Sequence, residues 1–267
     1  MSKTRLDLLL VERNLAETRS KAQAIIMAGQ VRVKGQMVDH AGASFPPDVQ
    51  IDVDSGPRFV SRGGEKLLGA LEAFHINPAG LICADVGSST GGFSDCLLQH
   101  GAARIYDIDV GKGILHWKLR SDPRIVVMEE TNARYVVALP EQVQLVVCDA
   151  SFISLRTLMP VFFHWLTDDA QVITLIKPQF EAGRVDVARG GGVVRDPLIH
   201  RRVLVDVLKF VQELGFGVKG LIRSPLLGPK GNTEFLAWLD RQKTNANVSV
   251  MIERALHRPS PPSESVE

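Results

Sequence analysis

Between residues 65 and 241 short apolar runs alternate with amphipathic stretches, and that alternation constrains the fold more than any other feature of the chain. Runs at 81–86, 104–109, 125–128, 145–149, 172–176, 218–222 and 234–239 read as strands, and 65–74, 92–99, 155–165 and 198–214 read as helices. Strands interleaved with helices predict an α/β domain, a doubly wound, Rossmann-like, mostly parallel sheet. In such sheets ligands bind outside the carboxyl ends of the strands. Residues at those ends are therefore the first candidates for chemistry.

The first strand runs into Asp85-Val86-Gly87-Ser88-Ser89-Thr90-Gly91-Gly92-Phe93, a glycine-rich turn that opens a helix. Glycine lets the backbone approach a ligand without a Cβ clash, so Asp85, Gly87, Ser88, Ser89, Thr90, Gly91, Gly92 and Phe93 are cofactor-binding candidates. About twenty residues on, a second strand ends at Asp109, placed to accept the ribose hydroxyls of a nucleoside, with Asp107 as the competing acid. Ser89 stands where the dinucleotide fingerprint requires glycine, so a nucleoside cofactor without a pyrophosphate suits the turn better than NAD.

Four ionisable residues stand where apolar patterning does not call for them. Asp149 and Lys177 end apolar strands and should face one cleft close to the cofactor, which makes Asp149 a cofactor-binding candidate too. Lys66 sits in the first turn of a helix, where a cation opposes the helix dipole. Glu234 shares a strand face with Leu236 and Trp238, so a buried carboxylate there needs a partner.

The first region, 1–54, is basic out of proportion to the chain. Up to Gln36 it holds Lys3, Arg5, Arg13, Arg19, Lys21, Arg32 and Lys34 against Asp7, Glu12 and Glu17, whereas the whole chain carries a formal net charge of +1. Leu6, Leu9 and Leu10 form one helical stripe. Thr18 or Ser20 caps a second helix that Gly29 ends. Val31-Arg32-Val33-Lys34 alternates as a strand, with Arg32 and Lys34 on one face and Gly35-Gln36 as the hairpin turn. Arg19 and Lys21, at the helix start, suit a phosphate.

Two sets of residues carry family resemblances. Arg5 to Arg13 together with Thr18 to Gly35 resembles the S4-type RNA-binding domain, which implies RNA as a partner. Ser61-Arg62-Gly63-Gly64-Glu65-Lys66-Leu67, Asp85 to Phe93, Ser151-Phe152-Ile153-Ser154-Leu155, Leu175-Ile176-Lys177-Pro178-Gln179-Phe180-Glu181 and Gly228-Pro229-Lys230-Gly231-Asn232-Thr233-Glu234-Phe235-Leu236 resemble the TlyA family. Its members were named as haemolysins, and they resemble the FtsJ-like methyltransferases behind an S4-type module. The resemblance implies S-adenosyl-L-methionine as cofactor, a ribose 2′-hydroxyl of ribosomal RNA as acceptor, cytidine in relatives, and a catalytic tetrad at Lys66, Asp149, Lys177 and Glu234. Lys177 is either an ammonium stabilising the developing oxyanion or a neutral base.

The domain plan that follows is an RNA-binding domain at 1–54, a linker at 55–64, a methyltransferase domain at 65–242 and a disordered tail at 243–267, rich in proline and serine. Arg58-Phe59-Val60 in the linker departs from relatives that carry Trp there. Arg62, Arg189 and Arg195 join Arg5, Arg19, Lys21, Arg32 and Lys34 as RNA contacts, and Arg189-Gly190-Gly191-Gly192 is either a mobile substrate loop or a plain flexible connection. Cys83, Cys96 and Cys148 fit neither a disulfide framework nor a zinc site, so no metal is expected. The start of the chain lacks a signal-peptide pattern, and no run of about 18 apolar residues occurs, which points to the cytoplasm. Two other readings compete: an RNA-binding assembly factor with a vestigial cofactor pocket, and a membrane-acting haemolysin.

Overall fold

The computed structural model describes residues 3–54, 56–242 and 247–257. It divides into two compact units, Met1–Arg58 and Phe59–Glu267. The residues expected to form a free linker thus divide. Arg58 closes the first unit, while Phe59 is buried in the second, and Gly63 and Gly64 already belong to a helix.

In the first unit β1 (Thr4–Arg5) leads into α1 (Leu6–Glu12), and α2 (Arg19–Met27) follows. Thr18 caps α2 by accepting the Lys21 N–H, and Gly29, at φ +71°, turns the chain out of it. β2 (Val31–Val33) pairs antiparallel with β3 (Gln36–Met37) and β5 (Ile51–Val53), and β4 (Ser44–Phe45) pairs with β1. Leu6, Leu9, Leu10, Ala22, Ile26, Val31, Val33 and Val49 form the core. The hairpin turn is Lys34-Gly35, one residue earlier than the alternation predicted, with both residues at positive φ. Lys34 therefore leaves the strand, and only Arg32 remains on the exposed strand face.

The second unit carries a seven-stranded sheet of β6 (Ile82–Val86), β7 (Arg104–Ile108), β8 (Ile125–Met128), β9 (Val143–Cys148), β10 (Leu166–Ile176), β11 (Gly217–Arg223) and β12 (Phe235–Asp240), in the order β11-β12-β10-β9-β6-β7-β8. All pairs are parallel except those made by β12. The helices are α3 (Gly63–Phe74), α4 (Gly92–Gln99), α5 (Trp117–Arg120), α6 (Leu155–Trp165), α7 (Pro178–Glu181), α8 (Arg184–Arg189), α9 (Pro197–Glu213) and α10 (Val248–His257).

Alternation along each strand divides its side chains between two cores. Cys83, Leu145, Val147, Ile173 and Leu175 pack with Leu67, Leu71, Cys96 and Leu97 of α3 and α4. Ala84, Val86, Val146, Cys148, Val172 and Ile176 pack with Phe162, Leu204, Leu208 and Ile252 of α6, α9 and α10. Burial on both faces is why these strands read as near-continuous apolar runs. The chain visits β6, β7 and β8 and then returns to the other side of β6 as β9, so the strand order reverses between β6 and β9. That reversal is where doubly wound sheets open a crevice at their carboxyl edge.

The expectation of a disordered tail is corrected over Val248–His257. Val248, Met251, Ile252, Ala255 and Leu256 recur at helical spacing, and this stripe packs α10 onto the sheet. The same expectation for 243–246 and 258–267 lies outside the described residues.

Candidate active site

The crevice is a cavity of about 750 Å³ at the carboxyl ends of β6, β7, β9 and β10. The glycine turn forms one wall. Gly87 has φ +80°, and a Cβ on it would stand 2.8 Å from Ala150 Cα, so the β6 and β9 loops touch only because the residue is glycine. A Cβ on Gly92 would meet Ser61 Oγ at 2.2 Å and Gly64 N at 2.9 Å. Gly87, Ser88, Ser89, Thr90, Gly92 and Phe93 all line the cavity. Gly91 does not; at φ +94° it caps α4, with Leu119 and Leu115 where a side chain would be.

Of the two acids on β7, Asp109 lines the cavity and Asp107 does not. Asp109 is held by the N–H groups of Ser89 (2.9 Å) and Gly111 (2.7 Å), which joins it to the glycine turn. Asp107 is buried beneath, and so is Asp85, which therefore braces the turn instead of lining it. Ser94 Oγ lies 2.8 Å from Asp85 Oδ2 and 2.9 Å from Asp107 Oδ2. A hydroxyl has one proton to donate, so one of the two carboxyls must donate back to it. Burial, reinforced by the Asp107 charge, raises Asp85 well above the usual carboxylate range, and burial raises Asp107 to about 6. A raised folded-state value stabilises the fold most below the unfolded-state value and loses that contribution as pH rises through the folded one. The melting temperature should therefore fall as pH rises from about 4 through about 6, and Asp107→Asn should flatten that fall. A wild-type slope retained in the variant would exclude this origin.

The four ionisable residues come together. Lys66 Nζ, in the first turn of α3, lies 2.7 Å from Glu234 Oε2 and 3.7 Å from Asp149 Oδ2. Asp149 Oδ1 lies 2.5 Å from Lys177 Nζ. Lys177 also donates to Ser151 Oγ (2.9 Å) and to the Asp149 carbonyl (3.1 Å), and it pairs with Asp149 Oδ1 by charge alone. The order is Glu234, Lys66, Asp149, Lys177, alternating in sign. Lys66, Asp149 and Lys177 line the cavity; Glu234, with its side chain fully buried, stands behind Lys66. Gly228 makes room for Glu234, since a Cβ there would meet Oε1 at 2.0 Å. The cation in the wrong turn of a helix and the acid on an apolar face thus have one explanation, each other.

Sequence reasoning missed two residues here. Phe152, at φ +62° and 91% exposed, stands at the cavity mouth with its ring centroid 5.0 Å from that of Phe180. Glu181 accepts from Ser154 Oγ and from the Leu155 N–H, both at 2.7 Å, and so fixes the 151–154 loop beside Lys177. Both lie inside the motifs quoted above, which was the available signal. Arg62 is exposed and lines the cavity. Arg189 and Arg195 are exposed and do not line it, and Arg189 ends α8. The glycine run after it is tied to the site: Asn232 Nδ2 donates to the Gly192 carbonyl, and Asn232 Oδ1 accepts from the Val194 N–H.

In the first unit Arg5 and Arg19 both pair with Asp7, Lys21 pairs with Glu17, and Arg32 and Lys34 are exposed. Among the described residues no helix is long and apolar enough to cross a membrane, and no cluster of His, Cys, Asp or Glu is placed to hold a metal ion.

A doubly wound sheet with a crevice at its reversal and a cluster of alternating charges beside it has the layout of a nucleoside-binding enzyme site. Residues 59–241 match the model of the FtsJ-like methyltransferases and residues 4–48 that of the S4 domain. The chain belongs to the FtsJ-like methyltransferase family, in the TlyA branch that carries an S4 domain in front. It is 45% identical to the 16S/23S rRNA (cytidine-2′-O)-methyltransferase TlyA of Mycobacterium tuberculosis, over 96% of this chain and 97% of that one. It is 41% identical to hemolysin A of Brachyspira hyodysenteriae, over 87% of this chain and 98% of that one. A solved haemolysin-named structure from Streptococcus thermophilus superposes with a TM-score of 0.70 at 39% identity, covering 96% of each chain.

Proposed function

We propose that this chain transfers a methyl group from S-adenosylmethionine to the 2′-hydroxyl of a cytidine in ribosomal RNA, in the cytoplasm. The observation that carries the reading is the alternating chain of Glu234, Lys66, Asp149 and Lys177 at the edge of a nucleoside-sized cavity. The acceptor is that of the Mycobacterium tuberculosis relative, a 16S/23S rRNA (cytidine-2′-O)-methyltransferase.

The residues present fit the cofactor. Gly87 lets the turn close against Ala150 and Gly92 lets it close against Ser61 and Gly64, so the turn's backbone forms one wall of the crevice, and Asp109 offers a carboxylate to ribose hydroxyls. Ser88, Ser89, Thr90 and Phe93 complete the wall, with Asp85 and Gly91 supporting it from below. S-adenosylmethionine supplies an electrophilic methyl group when bound. The chain's own work is to hold the nucleophile in line and manage its proton.

Lys177 Nζ meets the 2′-hydroxyl and stabilises negative charge as it develops on that oxygen. Asp149, 2.5 Å away, orients Lys177, which in the alternative role of neutral base accepts the hydroxyl's proton. Lys66 balances the charge on Asp149, and Glu234 holds Lys66 in place. Phe152 offers an exposed ring face on which an unpaired base stacks. Arg5, Arg19, Lys21, Arg32 and Lys34 of the S4 unit, with Arg62, Arg189 and Arg195 of the catalytic unit, meet RNA phosphates.

The test is methyl transfer from labelled cofactor to isolated ribosomal subunits, with the product mapped to ribose. Label on ribose is expected; cofactor binding without transfer to either subunit would favour a non-catalytic RNA-binding factor. Asp109→Ala should weaken cofactor binding by roughly tenfold to a hundredfold, the cost of losing a charged hydrogen-bond acceptor. Calorimetry showing unchanged affinity would remove Asp109 from the site.

A further inference from the structure

Asp7 is a fully buried carboxylate in a unit whose core is only a handful of aliphatic side chains. Burying a carboxylate is unfavourable unless it is paired and hydrogen-bonded, and this one is both. Arg5 Nε and Nη2 donate to its two oxygens at 3.0 Å each, in the bidentate fork. Arg19 Nε donates at 2.9 Å and Gln23 Nε2 at 2.8 Å. These bonds, chiefly those from Arg5, hold Asp7 well below the usual carboxylate range. Three elements meet here: β1 through Arg5, α1 through Asp7, and one face of α2 through Arg19 and Gln23, which are one helical turn apart.

The cluster has more cation than it needs. One guanidinium satisfies one carboxylate bidentately; the second leaves a net charge of +1. Both side chains remain open to solvent, Arg5 at 44% and Arg19 at 53%. Asp7 takes two of the five N–H groups of Arg5 and one of those of Arg19. Beside the outward Nη1 of Arg5 stands Gly42, whose φ is not positive, so the backbone does not demand glycine there. A Cβ at that position would stand 3.5 Å from Nη1 and 3.1 Å from His40 Nε2.

We propose that Asp7 is a positioning residue for RNA binding: it holds Arg5 and Arg19 as a preformed clamp for a backbone phosphate. The proposal rests on the reading that the S4 unit binds RNA. Without Asp7 both arginines must be immobilised at the moment of binding, which costs affinity although the surface gains positive charge.

That opposition makes the sign of one measurement decisive. Binding of the full chain to 16S and 23S rRNA transcripts is measured over a salt series for wild type and Asp7→Asn, with thermal melting to confirm that both are folded. The clamp predicts roughly threefold to tenfold weaker binding by Asp7→Asn, partly restored in Asp7→Glu. If Asp7 contributes only its charge, removing it tightens binding and steepens the salt slope. Affinity equal to or tighter than wild type in folded Asp7→Asn overturns the proposal. Where Asp7→Asn does not fold, Arg19→Gln decides, because Arg5 still pairs with Asp7: the clamp predicts weaker binding and a salt slope shallower by about 1, and an unchanged slope overturns it. Absence of wild-type binding to either RNA would instead overturn the RNA-binding reading itself.

Discussion

Lys177→Met should lower the rate of methyl transfer about 10²- to 10³-fold while leaving cofactor affinity nearly unchanged, the loss seen when a preorganised donor to a developing oxyanion is removed. Methionine keeps much of the length and apolar stem but has no donor for the acceptor oxygen. Asp149 retains Lys66 at 3.7 Å, so the variant does not leave an isolated buried charge and should still fold. Single-turnover transfer to ribosomal subunits, with calorimetry for the cofactor, separates the two quantities. A variant that transfers methyl groups at the wild-type rate would remove Lys177 from the chemistry. A parallel loss of cofactor affinity would make it a binding residue.

Glu234→Ala should act on stability before it acts on rate. Lys66 and Glu234 form a buried pair, with side chains 10% and 0% exposed. Removing one partner of such a pair strands the other and typically costs about 3–5 kcal/mol. In a domain of this size that lowers the melting temperature by roughly 10 °C. Replacing both residues together, as in Lys66→Met with Glu234→Leu, should recover most of the stability and none of the activity, because apolar residues of similar volume satisfy the site without its charge. Stability unaffected by Glu234→Ala would mean that the pair is not closed in solution.

The two predictions separate what the tetrad does from what it costs. Lys177 lines the cavity, whereas Glu234 stands behind Lys66 and does not reach it. Their phenotypes should differ for that reason, although both residues belong to one charge chain.

Much of this was legible along the chain. Near-continuous apolar runs alternating with amphipathic stretches set out the parallel sheet, since each strand must feed two cores. The carboxyl-end rule then puts Gly87, Asp109, Asp149 and Lys177 on one edge, because chain direction alone determines which end of a parallel strand a residue occupies. Lys66 stood out as a cation against the helix dipole, and Glu234 as a carboxylate on an apolar strand face. What local pattern could not decide was partnership. Lys66 and Glu234 are 168 residues apart, and their contact exists only once α3 and β12 pack on the same sheet. The choice of Asp109 over Asp107 depended on where the strand ends: Asp107 lies within β7 and is buried, whereas Asp109 follows it, accepts the Ser89 and Gly111 N–H groups and lines the cavity. The pairing of Arg5 and Arg19 on Asp7 likewise needed three elements to converge, and α10 required a sheet face to cover. Residue type and spacing determine which groups are unusual; only the packed chain decides which of them meet, because burial and ion pairing belong to three-dimensional neighbours and not to positions in a string.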